Sequence, residues 1–348
     1  MFPTDNQISQ VIEELLAQNT VAGVAVAVTD RNGLRYCRAF GSENIEYPTV
    51  PNHTDALYRV ASITKITVSI AIQQLAEQGL LSLDDLVKTH LPNLTLSRPK
   101  AEKQLTIKHL LTHTGGFVCE DWLEEGPCDE TAFEKTILDS VAVRPMHALP
   151  CENVYCYSNA GYNLLALLIS KILGQPFSKV MNERVLQPLG MEKSTFELPV
   201  AATHPISQPH RTDKNGNLYT VHRQRMNSVY YGAGGLYSNV HDLCAVARLF
   251  LNNGVNDRGE RVLAEESIGA MLKKQCRRNV YEHYGYGIMT REKDGLFLQG
   301  HTGNYDPYNS SLFFNLESGY GVSTLINTAG CEALRYDIPE RIFSMLNQ

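Results

Sequence analysis

The chain has 348 residues, 43% of them hydrophobic and 20% charged, and its 31 Lys and Arg against 37 Asp and Glu give a formal charge of −6. That composition is ordinary for a globular protein, and with no basic run it argues against nucleic-acid binding. The length exceeds what a single core usually supports, so two domains, or one domain with a large insertion, are expected.

In chain order, QISQVIEELLAQ at 7–18 places Ile8, Val11, Ile12, Leu15 and Leu16 on one face of a helix. VAGVAVAVTDRNG and LRYCRAFG then read as a hairpin whose first strand is buried on both faces. From 62 to about 190 helical signals dominate. ITKITVSIAIQQLAEQG is apolar on more than one side, hence a buried helix, and Gly79 ends it. Ser82 is expected to begin another helix, with Asp84 and Asp85 in its first turn. TIKHLLTH at 106–113 predicts a short helix stopped by Gly115-Gly116, and NAGYNLLALLISKILG a long one ending at Gly174. Residues 200–228 read as loop-rich, and SNVHDLCAVARLFLNNG as a helix capped by Ser238 and stopped by Gly254. YGYGIMT, GLFLQG, SSLFFNL and GYGVSTLINT return to strands, and a final helix covers about 332–346.

The fold class expected from this order is α/β of the α+β type. Strands at 21–40 and 285–328 share one antiparallel sheet flanked by the terminal helices, and a large helical lobe is inserted. Residues 1–60 together with 229–348 would form the sheet domain and 61–228 the helical one, with the site in the cleft between them.

The most apolar helical stretch, YNLLALLISKIL at 162–173, is too short to span a membrane and carries Lys171. The N-terminus has no basic segment followed by an apolar one, so a cytoplasmic location is expected, or a periplasmic or secreted one if a signal was removed. None of the eight cysteines forms a Cys-x-x-Cys pair, so no metal site is expected, and His109 with His113 lacks a third ligand. Cys119–Cys128 and Cys151–Cys156 could pair in an exported chain, with free thiols the default. Six acids between Glu120 and Glu130 read as a solvated loop or as an acidic rim favouring cationic substrates.

Three short patterns each occur twice. Ser-x-x-Lys stands at Ser62–Lys65 and at Ser97–Lys100; residues three apart on a helix are neighbours, but Pro99 disfavours a helix at the second copy. At the first, a buried helix start would favour both a neutral lysine amine and an attacking serine, although an N-cap serine with a snorkelling lysine fits as well. Tyr-Ser-Asn stands at 157–159 and 237–239, and both copies precede helices that they could simply cap. His-Thr-Gly at 113–115 is explained as a helix end, with Gly115 the residue past it. The copy at 301–303 follows a strand, where His301 and Thr302 could donate to a substrate carboxylate or carbonyl and Gly303 could let a substrate backbone approach.

Taken together, Ser-x-x-Lys, Tyr-x-Asn and a strand-borne Lys/His-Thr-Gly resemble the serine β-lactamase and penicillin-binding protein superfamily, closest to its class C branch of β-lactamase-related esterases and D-amino-acid-directed peptidases. The resemblance runs from about residue 10 to 330 and includes YRVASITKITVSIAIQQLAEQGLLSLDD, TIKHLLTHTGG, YSNAGYNLLALLISKILGQPF, VLQPLGMEKSTF and GAGGLYSNVHDL. It implies the β-lactamase/transpeptidase-like fold and selects Ser62, Tyr157 and His301 among the duplicates. It further implies Ser62 as acylated nucleophile, Lys65 and Tyr157 as the proton-transfer pair, and Asn159 as a substrate-amide contact. His301, Thr302 and Gly303 would form a substrate-facing strand, with an oxyanion hole from the backbone N–H groups of Ser62 and Asn304. No cofactor is implied, and the partner is a small-molecule or short-peptide substrate. The chain departs from the family pattern where His301 replaces a lysine, which favours ester or peptide cleavage over β-lactam hydrolysis. It departs again where Asn304-Tyr305-Asp306-Pro307-Tyr308 replaces a glycine-bearing run, which implies a reshaped pocket wall. The expected activity is serine hydrolysis of an ester or amide through a Ser62 acyl-enzyme. Alternatives are acyl transfer through the same intermediate and a non-catalytic ligand-binding protein.

Overall fold

The computed structural model describes residues 2–47, 49–118, 130–222 and 231–347. Helix α1 (Asp5–Leu16) is opened by Thr4, whose side chain caps Gln7 N–H, and is followed by strands β1 (Gly23–Thr29), β2 (Leu34–Gly41) and the short β3 (Tyr58–Arg59). A 3-10 turn, Ala61–Ile63, leads into α2 (Thr64–Glu77). The helical body continues through α3 (Val87–His90), α4 (Ile107–Leu111), α5 (Glu130–Val143), α6 (Asn159–Leu173), α7 (Phe177–Met181) and α8 (Leu198–Ala201). Strands β4 (His210–Thr212) and β5 (Leu218–Thr220) form a separate ribbon, and α9 (Tyr231–Gly234), β6 (Tyr237–Ser238), α10 (Val240–Leu251) and α11 (Glu265–Leu272) return the chain to the sheet. Strands β7 (Cys276–Arg277), β8 (Glu282–Tyr284), β9 (Met289–Lys293), β10 (Leu296–Tyr305), β11 (Tyr308–Asn315) and β12 (Tyr320–Ile326) precede the last helix, α12 (Leu334–Leu346).

The main sheet is antiparallel throughout, in the order β2-β1-β12-β11-β10-β9-β8-β7. Pairing of β1 with β12, Val24 opposite Ile326, closes the two ends of the chain into one sheet. Strand β1 is buried along its whole length, and its Val-Ala alternation divides the two faces. Val24, Val26 and Val28 join Ile8, Ile12, Ile338 and Phe343 under the terminal helices α1 and α12. The smaller Ala25 and Ala27 face the opposite way, where α10 packs, in the cluster that also holds Val246 and Phe250. That second cluster runs from Leu312, Phe314 and Leu325 of the sheet through α2 and α6, so sheet and helical body share one apolar interior.

Three local expectations differ from the structure. Ser82 and Asp85 close a hydrogen-bonded turn, Asp85 accepting from Ser82 N–H, and the helix begins only at Val87. The cap of α10 is Asn239, which accepts from Asp242 N–H, while Ser238 lies in β6 and bonds Ser194. The residue past α4 in left-handed geometry is His113, φ 58°, not Gly115. Its N–H returns to Leu110 and that of Thr114 to His109, which closes the helix end. Gly174 does cap α6 at φ 62°. Residues 200–228 carry α8, β4 and β5 within their described part. No single helix among the described residues is long and apolar enough to cross a membrane. Cys151 and Cys156 are free thiols, whereas Cys119, Cys128 and most of the acidic 119–130 stretch lie outside the described residues.

Candidate active site

The turn that carries Ser62 is set by its neighbours. Ala61 adopts φ 50°, a left-handed conformation that costs a residue with a Cβ about 1–2 kcal/mol. The Val60 carbonyl accepts from Ser310 Oγ at 2.8 Å. Gly303 of β10 lies directly against this turn: a Cβ there would stand 2.3 Å from Val60 O, 3.1 Å from Ala61 Cβ and 2.2 Å from Ser310 Oγ. The glycine of the 301–303 copy is thus explained by the close approach of β10 to the turn that carries Ser62, where substrate approach was expected. Helix α2 starts from Ile63 without a side-chain cap, so the Ser62 hydroxyl is not used as one.

Ser62 is partly exposed, while Lys65, one helical turn on, is fully buried. Lys65 Nζ donates to Ser62 Oγ at 2.9 Å, to Asn159 Oδ1 at 2.8 Å and to the Ala233 carbonyl at 2.8 Å. These three oxygens hold the amine at one point. The Tyr157 hydroxyl donates to the same Ser62 Oγ at 2.8 Å, and Lys65 Nζ lies 4.9 Å from the Tyr157 ring centroid. Serine, lysine and tyrosine, separated by up to 95 residues in the chain, meet around one oxygen. Asn159, expected on the substrate, is engaged with Lys65 from the first turn of α6. The Ala233 carbonyl was not anticipated as a lysine partner; the only signal for it is the run Gly-Ala-Gly-Gly at 232–235, where a Cβ on Gly232 would stand 2.1 Å from Tyr162 O.

The strand residues divide by face. His301 is 2% exposed, and burial first, then the charge of Lys65, holds its imidazole well below the usual histidine range. The ring is therefore neutral, and its tautomer follows from its partners. The Thr302 carbonyl, 2.5 Å from Nδ1, can only accept, so Nδ1 carries the proton and Nε2 accepts from the Tyr284 hydroxyl at 2.9 Å. Both nitrogens expected to reach a substrate are engaged inside the protein. Thr302 points to the other face of the sheet, its hydroxyl 3.4 Å from that of Tyr336 on α12. Asn304 is exposed, with its side-chain amide donating to Asn309. Strand β9 pairs with β10 only as far as Gly300, so the 301–305 segment pairs with β11 on one side and has no β9 partner on the other. Beyond it the wall is held by Arg59, stacked 3.6 Å over the Tyr305 ring, and by an Arg211–Asp306 ion pair.

The duplicate patterns are structural. Ser97 bonds the Arg144 carbonyl, and Lys100 takes a left-handed conformation in a loop. Tyr237-Ser238-Asn239 forms β6 and the α10 cap. His113, however, is more than a helix end. It is 1% exposed, its carbonyl accepts from Cys156 N–H at 2.7 Å, its Nδ1 accepts from Ser158 N–H at 3.0 Å, and its ring lies 4.2 Å from that of Tyr157. Burial, then the nearby charge of Lys65, holds it well below the usual range as well. No group of three or more His, Cys, Asp or Glu side chains among the described residues could hold a metal ion.

Comparison with known proteins concerns the chain as a whole. The family model described as Beta-lactamase matches residues 8–344. Protein flp of Staphylococcus aureus strain MW2 is 22% identical over 324 residues, covering 93% of this chain and 63% of its own length, so the chain spans less than two thirds of that relative. Among solved structures, the octameric penicillin-binding protein homologue from Pyrococcus abyssi superposes with a TM-score of 0.79 at 26% identity, covering 98% of this chain and 77% of its own. The D-amino acid amidase from Ochrobactrum anthropi SV3 superposes with a TM-score of 0.80 at 18% identity, covering 98% and 97%.

Proposed function

The chain belongs to the Beta-lactamase family, and from that premise we propose that it is a serine hydrolase that cleaves an ester or amide through an acyl-enzyme on Ser62. The observation that carries the reading is the convergence of Lys65 Nζ and the Tyr157 hydroxyl on Ser62 Oγ, at 2.9 and 2.8 Å. The reaction requires that the serine proton leave as Oγ attacks a carbonyl, and two groups that titrate by different chemistry are already within transfer distance. Both groups donate to Ser62 Oγ in the resting site, so attack requires that one of them first give up its proton; that group then takes the serine proton, and the Lys65–Tyr157 pair hands it to the leaving group as the acyl-enzyme forms. Asn159 and the Ala233 carbonyl keep the amine from swinging away. Negative charge on the tetrahedral oxygen is met by the backbone N–H groups of Ser62 and Asn304, a kind of donor whose loss typically costs about 10²–10³ in kcat. Water then releases the acyl group.

For the substrate, the enclosure of His301 supports esters, amides or D-amino-acid peptides over β-lactams. A neutral ring with both nitrogens engaged offers no cation to a carboxylate at that strand position. The 301–305 segment, which has no β9 partner, suits an extended acyl chain lying alongside it.

A fluorophosphonate probe and a p-nitrophenyl ester test the reading. Stoichiometric labelling and a burst of nitrophenol, both lost in Ser62→Ala, are expected; a chain that binds ligands without labelling is a binding protein instead. Added amine that captures the acyl group in preference to water would make it an acyltransferase. Nitrocefin turnover faster than ester turnover would overturn the substrate class.

A further inference from the structure

We propose that His113 is a positioning residue for Tyr157, holding the segment on both sides of the phenol so that its hydroxyl stays within reach of Ser62 Oγ. The inference rests on the acyl-enzyme reading above and adds to it a residue that touches neither substrate nor Ser62. Residues 153–158 belong to no helix or strand, so no ladder fixes the tyrosine they carry. The backbone donors immediately before and after it, Cys156 N–H and Ser158 N–H, both end on His113, one on its carbonyl and one on Nδ1. The imidazole lies over the phenol ring between those two bonds, with centroids 4.2 Å apart and planes tilted by 36°. His113 thus holds the backbone on both sides of Tyr157 and lies against its ring.

The conformation of His113 points the same way. Its φ of 58° is one that glycine adopts without strain, and the helix end it closes needs only backbone groups. Glycine would serve the cap and would relieve the strain, but it would remove the ring and the Nδ1 acceptor. The reach that depends on them is short: a hydrogen bond of 2.8 Å between Tyr157 and Ser62 weakens steeply with displacement, and misplacement by about 1 Å can cost about 10²-fold in rate.

Three variants separate positioning from capping. His113→Gly keeps the cap and lacks the acceptor and the ring. His113→Phe keeps a ring and lacks the acceptor. His113→Asn tolerates the left-handed backbone and keeps an acceptor oxygen close to the place of Nδ1. The expected result is a p-nitrophenyl ester burst rate about 10–100-fold lower in H113G and H113F, with KM within about threefold of wild type, and restored to within about fivefold in H113N. A cap role alone predicts that H113G is as active as wild type, and that result would overturn the assignment, as would an H113N protein as impaired as H113G. A second readout is independent of turnover. With 3-fluorotyrosine placed at position 157, the ¹⁹F resonance should shift or broaden in H113G and stay near the wild-type position in H113N. An unchanged resonance in H113G sinks the proposal. Ester turnover that persists in Ser62→Ala would instead sink the acyl-enzyme reading and leave the ¹⁹F comparison to decide the role of His113.

Discussion

Ser62 Oγ accepts from two donors of different chemistry, and each is held by its own part of the fold. Lys65 is fixed by α6 and α9 through Asn159 and Ala233, and Tyr157 arrives on the segment bound to His113. Removing either leaves the other in place and, on the proposed mechanism, interrupts proton transfer from Ser62. Lys65→Ala and Tyr157→Phe are each expected to slow the acylation burst by about 10²–10⁴-fold. The double variant should fall far short of the product of the two, because groups that act as one unit do not add. Stopped-flow measurement of the ester burst checks this, and a rate within threefold of wild type in either single variant would refute the assigned roles. Helical spacing and an apolar helix singled out Ser62 and Lys65 as a pair, but choosing the catalytic reading over a capping serine rested on the family resemblance. The conformations of Ala61 and His113 were not legible in the sequence, because left-handed geometry at a residue with a Cβ is imposed by partners distant in the chain.

At the scale of elements, the site exists because β10 can press against the turn before α2, and Gly303 is what permits it. A methyl group there meets the Val60 carbonyl, which is backbone and cannot rotate away, and Ser310 Oγ, which is bonded to that same carbonyl. Gly303→Ala is expected to destabilise the fold by about 1–3 kcal/mol, the usual cost of overpacking, and to lower the ester burst more than tenfold by displacing the strand from Ser62. Denaturant midpoints and burst amplitudes measured on the same preparations test both effects, and a stable, active variant would show that the approach is not tight. The cap of α10 provides a contrasting case. Asn239→Ala should cost about 0.5–2 kcal/mol in urea unfolding with the burst rate unchanged, since Asn239 accepts from Asp242 N–H. The sequence pattern pointed to Ser238 as that cap. Both residues are good caps, and only the pairing of Tyr58 with Ser238, which extends β6 by one residue, decides between them. The strands themselves were legible because β1 and the runs at 310–326 are continuous stretches of apolar or small residues, as expected of strands buried on both faces. The turn at Ser82 was not, because serine followed by aspartates suits a helix start and a turn equally.

At the scale of the molecule, the sheet and the helical body share one apolar interior, and the two imidazoles at their junction, His113 and His301, are buried in it as neutral rings. Burial, and then the charge of Lys65, places both below the ordinary histidine value of 6.5, whereas the unfolded chain protonates both near that value. Below about pH 6.5 the unfolded state therefore binds more protons than the folded state. Stability is complete above that pH and falls as the solution is acidified toward the folded-state values. Both rings steepen that loss in the same direction across the window. His109 and His210, lowered chiefly by burial, act in the same direction. Asp242, raised by its own burial, acts in the opposite direction, but only as the pH nears the carboxylate range. Urea unfolding from pH 7.5 to 5.5 should show a steady loss of stability beginning near 6.5, and His301→Gln, which removes one of the two rings, should make that slope measurably shallower. A wild-type stability that stays level across the interval would mean that the folded protein can protonate these rings, and with them the neutral, enclosed His301 on which the substrate class depends would be lost.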